Sequence, residues 1–246
     1  MLDTHKIINE QGILDIVHPN MAELSRTDNA MFAMVRRSGL GASDASVYMG
    51  VNQWISVEDL IKEKQSIGYT DHEREVSEKE NVRKGKDLEP LILKKFEEQM
   101  GIKVYKPDPI YRIIMHPQLT INFDGIIIMD KQLIPVEAKY VSPWANKYWD
   151  RSKCIKTLFE GSPKITSGNT MIDHIKEEAY LYGIPEYYYT QAQQQMLGLD
   201  APFCYFAVLF DKGWELGVYK IFKDQYTQDG IVSESKKIWQ RVRPLN

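Results

Sequence analysis

The sequence predicts an α/β (α+β) fold in which a central mixed β-sheet is flanked by helices. Three observations carry this. From about Val82 to Met100, Leu88, Leu91, Ile92 and Phe96 recur at helical spacing, and Gly101 suits the C′ position just past a helix end. Short β-type runs then follow in close order: "IKVY", "PIYRIIM", "LTINF", "GIIIM" and "LIPVEAKY". The last third reads as a helix, "EYYYTQAQQQMLGLD", two strands, "FCYFAVLF" and "WELGVYKIF", and an amphipathic helix near 228 to 242. Helices before, between and after strands suit one layered core.

The remaining elements follow from local signals. Residues 1 to 35 form an N-terminal arm with weak periodicity up to about residue 27, where one helix is the most it can hold. Gly39 to Gly41 make a flexible break, and Ser43-Asp44 start a helix. "SVEDLIKEKQSIG" is a short helix capped by Ser56 and ended by Gly68. The segment 71 to 87 is dense in charge, as a solvated loop entering a helix face is. Residues 142 to 184 form an insertion with a turn-rich centre, "EGSPKITSGNT", and a helical piece, "MIDHIKEEAYLYG". Asp211-Lys212-Gly213 joins the last two strands as a hairpin turn. The expected organisation is one domain over 1–246, with the core at 36–140 and the helix-strand-strand-helix unit at 185–246.

The 246 residues are 43% hydrophobic and 26% charged, with a net charge of −3. That balance excludes a globally basic nucleic-acid binder and leaves room only for a local basic patch. Cys154 and Cys204 are the only cysteines, too few for a disulfide framework or a four-cysteine metal site, and read as small hydrophobes. The first residues lack a signal-like pattern, and no run approaches about 18 apolar residues. A soluble intracellular protein without a membrane segment is expected.

Chemistry concentrates in "DGIIIMDKQLIPVEAKY" (124–140). Folded as a hairpin around Asp130 to Gln132, it puts Glu137 opposite or near Asp124. Glu137 and Lys139, two apart, face the same way. Two carboxylates that close repel unless a cation lies between them. A hard divalent ion such as Mg²⁺ suits the oxygens, and the lysine can stabilise a negative transition state. Asp, a gap, then Glu-x-Lys is the pattern of metal-dependent phosphodiester cleavage. Taken alone the pattern is loose, and a rim salt bridge from Lys139 to Glu137 or Asp124 explains it as well.

The same chain carries "RRSGLGASDASVYMGVNQW" (36–54), "RKGKDLEP" (83–90), "NFDG", "VEAK" and "IPEYYYTQAQQQMLGLDAPFCYFAVLF" (184–210), in that order. With these motifs, from about residue 36 to 215, it resembles the YqaJ-type viral recombinase family. That group is phage lambda exonuclease-like and belongs to the PD-(D/E)xK nuclease superfamily. The resemblance implies a restriction-endonuclease-like core in which Asp124, Glu137 and the Ala138 carbonyl hold Mg²⁺, with Mn²⁺ as a substitute. Glu89 would lie near the metal, Lys139 would be the catalytic lysine, and Gln191 would position the lysine or the attacking water. Each of the outer residues has a plainer reading: Glu89 as a solvated helix acid paired with Lys86, and Gln191 as part of a polar face with Gln194 and Gln195.

Ser43 at a helix start, preceded by Arg36 and Arg37, can hold a phosphate through backbone N–H groups and a bidentate guanidinium. The resemblance makes this a pocket for the terminal 5′-phosphate. Arg36 matches the family arginine by direct count, Arg37 after a one-residue gap. Departures from the lambda pattern are Ile114 for an aspartate, Asn122 for a serine beside the metal acid, and Lys147 as the only basic residue available after Glu-x-Lys. A longer segment also separates Lys139 from Gln191. Asn122 and Lys147 remain candidate DNA contacts. Trp144 and Trp149, with Lys147 and Arg151, form an aromatic-basic cluster that could stack on a separated base or grip the backbone, or equally belong to a helix packing its indoles on the sheet. His116 reads as structural, and Tyr187 to Tyr189 as core and rim.

The expected function is a Mg²⁺-dependent 5′→3′ exonuclease on double-stranded DNA ends. It would leave a 3′ strand for a single-strand annealing protein in viral or prophage recombination. A homo-oligomeric ring, a trimer by resemblance, is compatible with the neutral charge. The alternatives are a structure- or nick-directed endonuclease on the same core, or a non-catalytic DNA-end binder.

Overall fold

A computed structural model describes residues 8, 12–67, 79–158, 160–161 and 170–243. Its strands form two sheets flanked by helices. Strands β1 (Leu14–His18), β2 (Ile110–Ile113) and β3 (His116–Ile121) make an antiparallel sheet in that order. Strands β4 (Gly125–Met129), β5 (Gln132–Val141), β6 (Phe203–Phe210) and β7 (Glu215–Phe222) make the second. There β5 and β6 run parallel and the other pairs antiparallel, so the central sheet is mixed as expected.

The division into two sheets was not expected, and its cause lies at residues 122–124. Phe123 turns into the core, and the Asn122 side-chain amide donates to the Pro109 carbonyl at 3.2 Å instead of extending β3. The chain thus rounds a corner before β4 begins. Gly125 permits it: a Cβ there would lie 2.5 Å from Val104. "IKVY" correspondingly is no strand; only Tyr105 pairs, with Ile126, before Pro107 and Pro109 remove further donors.

Two further differences fall in the first third. The N-terminal arm contributes β1 to the edge of a sheet, then α1 (Met21–Thr27) and α2 (Asn29–Arg36). Only Leu14 of β1 is buried, which leaves little alternation to read. The Asn20 and Asp28 side chains cap the two helices through the N–H groups of Glu23 and Met31. A 3₁₀ turn at Ala42–Asp44 then leads into the short α3 (Ala45–Tyr48). The helix α4 (Val57–Gln65) starts at the Ser56 cap as expected; Gly68, its expected end, lies outside the described residues.

Beyond these come α5 (Glu80–Met100), α6 (Met171–Tyr182), α7 (Glu186–Leu199) and α8 (Gln225–Val242). The predicted insertion contains α6 and two 3₁₀ turns, Ala145–Tyr148 and Arg151–Lys153; most of its turn-rich centre, at 162–169, lies outside the described residues. Strand β6 is buried from Cys204 to Phe210, which accounts for its unbroken apolar run. Cys204 is fully buried and Cys154 half-buried against the core. No helix among the described residues is long and apolar enough to cross a membrane.

Helix α7 departs from its composition. Gln191, Gln193, Gln194 and Gln195 are all buried. Each buried amide needs partners, and the two sheets and the segments beside them supply most of these. The Gln194 amide donates to the carbonyls of Leu40 (3.0 Å) and Thr120 (3.1 Å) and accepts from the Tyr48 hydroxyl. That of Gln193 donates to the Phe222 carbonyl and accepts from the Asp224 N–H, both at 2.9 Å. Helix α7 is therefore a polar pin between the sheets, and it places Gln191 and Gln195 against β5.

Candidate active site

The β4–β5 hairpin turns at Asp130 and Lys131, both with positive φ (48° and 66°), the geometry of a two-residue turn matched to strand twist. Gly125 pairs with Val136, so Asp124, one residue earlier, meets the stretch around Glu137. The Ala138 N–H donates to Asp124 Oδ2 at 2.9 Å and fixes that carboxylate. Glu137 is 3% exposed, and donors surround it. Its Oε1 accepts from Lys139 Nζ and Gln191 Nε2, and its Oε2 from Gln195 Nε2 at 2.5 Å. Lys139 Nζ lies 4.9 Å from the centre of the Tyr188 ring.

The electrostatics follow from burial. Loss of water pushes the Asp124 carboxyl well above the usual carboxylate range, and the Glu137 charge pushes it further. Lys139 and the Ala138 N–H oppose this without cancelling it. For Lys139, burial works against the ammonium, but Glu137, Tyr188 and Asp124 together outweigh it and raise the amine above its ordinary value. One carboxylate is thus compensated by a cation and amides, while its neighbour is not.

Glu89, on α5, reaches the rim of this cluster, where its charge adds to the pressure on Asp124. Its carboxylate is paired with Lys106 Nζ at 2.5 Å, not with Lys86. Among the described residues no three His, Cys, Asp or Glu side chains close on one metal-sized point. The donor set is therefore two carboxylates, Asp124 and Glu137, beside Ala138. An under-compensated carboxylate next to a second one fits a hard divalent cation that keeps several waters.

Two clefts of about 390 and 420 Å³ meet at the cluster and share Lys86, Asp124, Glu137 and Lys139. The first is also lined by Arg36, Ser43, Lys64, Asn122 and Gln191. Of the two candidate arginines, Arg36 is the one in this cleft, and Arg37 is buried. Ser43 is exposed at the cleft but does not start a helix as expected. Asp44 takes the capping role, its Oδ2 accepting from the Gly41 N–H at 2.8 Å and pairing with Lys64 at 2.6 Å. Lys147 lines neither cleft; its ammonium sits 4.7 Å from the Trp144 ring centre. Trp149 is core, in contact with Tyr188, Phe206, Phe210 and Tyr219.

Three site residues escaped the sequence reading. Lys86 lies in "RKGKDLEP", where the sequence suggests only a partner for Glu89. Lys64 shows no local signal, because its role comes from burial beside Asp44. Gln195 did carry a signal, four residues after Gln191 and hence on the same helix face. Replacing Gln195 with Ala should leave Glu137 Oε2 buried without its donor, at about 1–3 kcal/mol. Urea denaturation reads this; a change under about 0.5 kcal/mol, as at open surface sites, would mean that no clamp exists.

Strand order, helices and acid–acid–lysine cluster together define a PD-(D/E)xK-like α/β fold. A solved structure of an alkaline exonuclease (LHK-Exo) from Laribacter hongkongensis is similar, with a TM-score of 0.52 at 16% identity over 84% of this chain and 89% of that one. LHK-Exo in complex with dAMP gives a TM-score of 0.56 at 16% identity over 85% and 90%. At the level of sequence, the YqaJ-like viral recombinase domain matches residues 31–198, and the chain belongs to that family. A Bacillus subtilis (strain 168) relative, the uncharacterised protein YqaJ, is 27% identical over 224 residues. That match covers 89% of this chain but only 56% of the relative's length.

Proposed function

We propose that this chain is a divalent-metal-dependent deoxyribonuclease acting as a 5′→3′ exonuclease on double-stranded DNA ends. The observation that carries the reading is Asp124 facing Glu137, with Lys139 on the same strand face, where two clefts meet. Family membership and the likeness to an alkaline exonuclease point the same way.

Asp124 and Glu137 would hold Mg²⁺, or Mn²⁺ in its place, with the Ala138 carbonyl beside them and Glu89 at the edge. Such an ion, when bound, makes water more acidic and neutralises charge on a phosphate. The chain does the rest. Lys139, held as an ammonium by its carboxylate neighbour, balances negative charge developing on the phosphate and does not act as a base. Gln191 and Gln195 fix the plane of Glu137. Arg36, Ser43, Lys64 and Asn122 give the first cleft the chemistry to hold a terminal 5′-phosphate. Lys147 would touch DNA only beyond the clefts. The 3′ strand left behind would pass to an annealing protein, and a homo-oligomeric ring, such as a trimer, would encircle the duplex.

The test is a linear duplex labelled at one 5′ end, sampled over time with and without Mg²⁺, beside a closed circular duplex. The label should leave first as a mononucleotide, only with metal, and the circle should persist. Cutting of the circle would make the protein an endonuclease. No digestion with Mg²⁺ or Mn²⁺ would leave a DNA-end binder.

A further inference from the structure

The two clefts that meet at Asp124 and Glu137 differ in chemistry. The first carries Arg36 and three lysines, Lys64, Lys86 and Lys139, the equipment for a phosphate. The second is lined by Tyr140, Tyr187 and Tyr188 beside Lys86 and Lys139. Its rim continues the aromatic character onto the surface. The Trp54 ring meets Tyr187 edge-on at 4.8 Å, and Tyr187 meets Tyr188 at 4.5 Å. On the segment holding the cleft residues Ser142 and Ala145, Trp144 packs on Tyr148 at 5.6 Å. Lys147 stands between those two rings, 4.7 and 5.0 Å from their centres.

Both indoles face solvent, Trp54 at 57% and Trp144 at 65% exposure, while Trp149, five residues from Trp144, is buried. Leaving indoles in water forgoes the burial that stabilises other large rings here. Their ring contacts hold them in place without covering them, so each offers a fixed aromatic surface, that of Trp144 with the Lys147 ammonium beside it. Flat rings interleaved with lysines suit one ligand class well: a strand whose bases are free to stack while its phosphates meet cations. A duplex offers no such faces, because its bases are already stacked and paired.

We infer that the second cleft and its rim bind an unpaired DNA strand, with nucleobases stacking on Trp54 and Trp144 and the backbone following Lys86, Lys139 and Lys147. This rests on the reading of the protein as DNA-processing, and gives the two clefts separate tasks: one takes a phosphate terminus, the other the bases of a strand separated from its complement.

The experiment compares a labelled oligothymidylate with an abasic oligomer of equal length and charge. Binding is measured by fluorescence anisotropy in chelator, where nothing is cut. The full chain should prefer the base-bearing oligomer by about tenfold. Trp54→Ala and Trp144→Ala should each lose most of that preference, with the abasic affinity unchanged, since the phosphate contacts remain. Equal affinity for both oligomers, binding of neither, or variants that keep the full preference would overturn the inference. Digestion of a linear duplex with Mg²⁺ is followed in parallel. Base preference without digestion would sink the nuclease reading and leave this one standing; digestion without base preference would do the reverse.

Discussion

Replacing Lys139 with alanine should abolish DNA cleavage, by ~10²–10³-fold or more, while binding of DNA persists. The ammonium is half-buried and paired with Glu137; against the cost of burial, Glu137, Tyr188 and Asp124 together raise it above its ordinary value, so it stays charged throughout the neutral range. No other cation of the cluster substitutes for it: Lys86 is exposed, and Lys106 is engaged with Glu89. Phosphate-binding groups of the first cleft are untouched by the change, which is why affinity should survive. Lys139→Arg should not restore activity, because a planar guanidinium is a different donor from a compact ammonium. If Glu137 and Lys139 form only a rim salt bridge, the alanine variant would lose some stability and keep its rate. Single-turnover digestion alongside oligonucleotide binding separates the two, and full activity would defeat the mechanism.

Local signals account for what the sequence revealed. The β4–β5 hairpin was legible because continuous apolar runs flank a polar turn, and that alone brings Asp124 to Glu137. The long helix ending at Gly101 was legible for the same reason: apolar spacing plus a left-handed C-cap at φ 67°. What stayed hidden depends on tertiary contacts. Residues 122–124 look like the tail of a strand, and only packing of Phe123 and Gly125 shows that they turn the chain from one sheet to the other. The glutamines of α7 look like a solvated face, yet their amides satisfy carbonyls and a carboxylate from distant elements. Arg36 and Arg37 are equivalent in sequence, and their separation into cleft and interior depends on how α2 docks. Of Ser43 and Asp44 it is Asp44 whose side chain closes the turn onto the Gly41 N–H, where it also meets the buried Lys64 from a distant helix.

Asp124→Asn should stop cleavage and yet make the metal-free protein more stable. In chelator, the Asp124 carboxylate has lost water and faces Glu137, and both effects disfavour its charge. A carboxyl raised in the folded state binds its proton more tightly there than in the unfolded chain. Its penalty is therefore absent below the ordinary carboxylate pKa and grows as pH climbs towards the raised one. Asparagine keeps an oxygen for the Ala138 N–H and removes the charge. The variant should melt above the wild type at neutral pH, by ~2–4 °C for each kcal/mol relieved, and the gap should close in acid. Adding Mg²⁺ should raise the wild-type melting temperature, since an ion that binds only the folded state stabilises it by mass action, and should move the variant much less. A variant that melts lower in chelator would mean that Lys139 already satisfies both carboxylates, leaving no electrostatic need for a cation at this site.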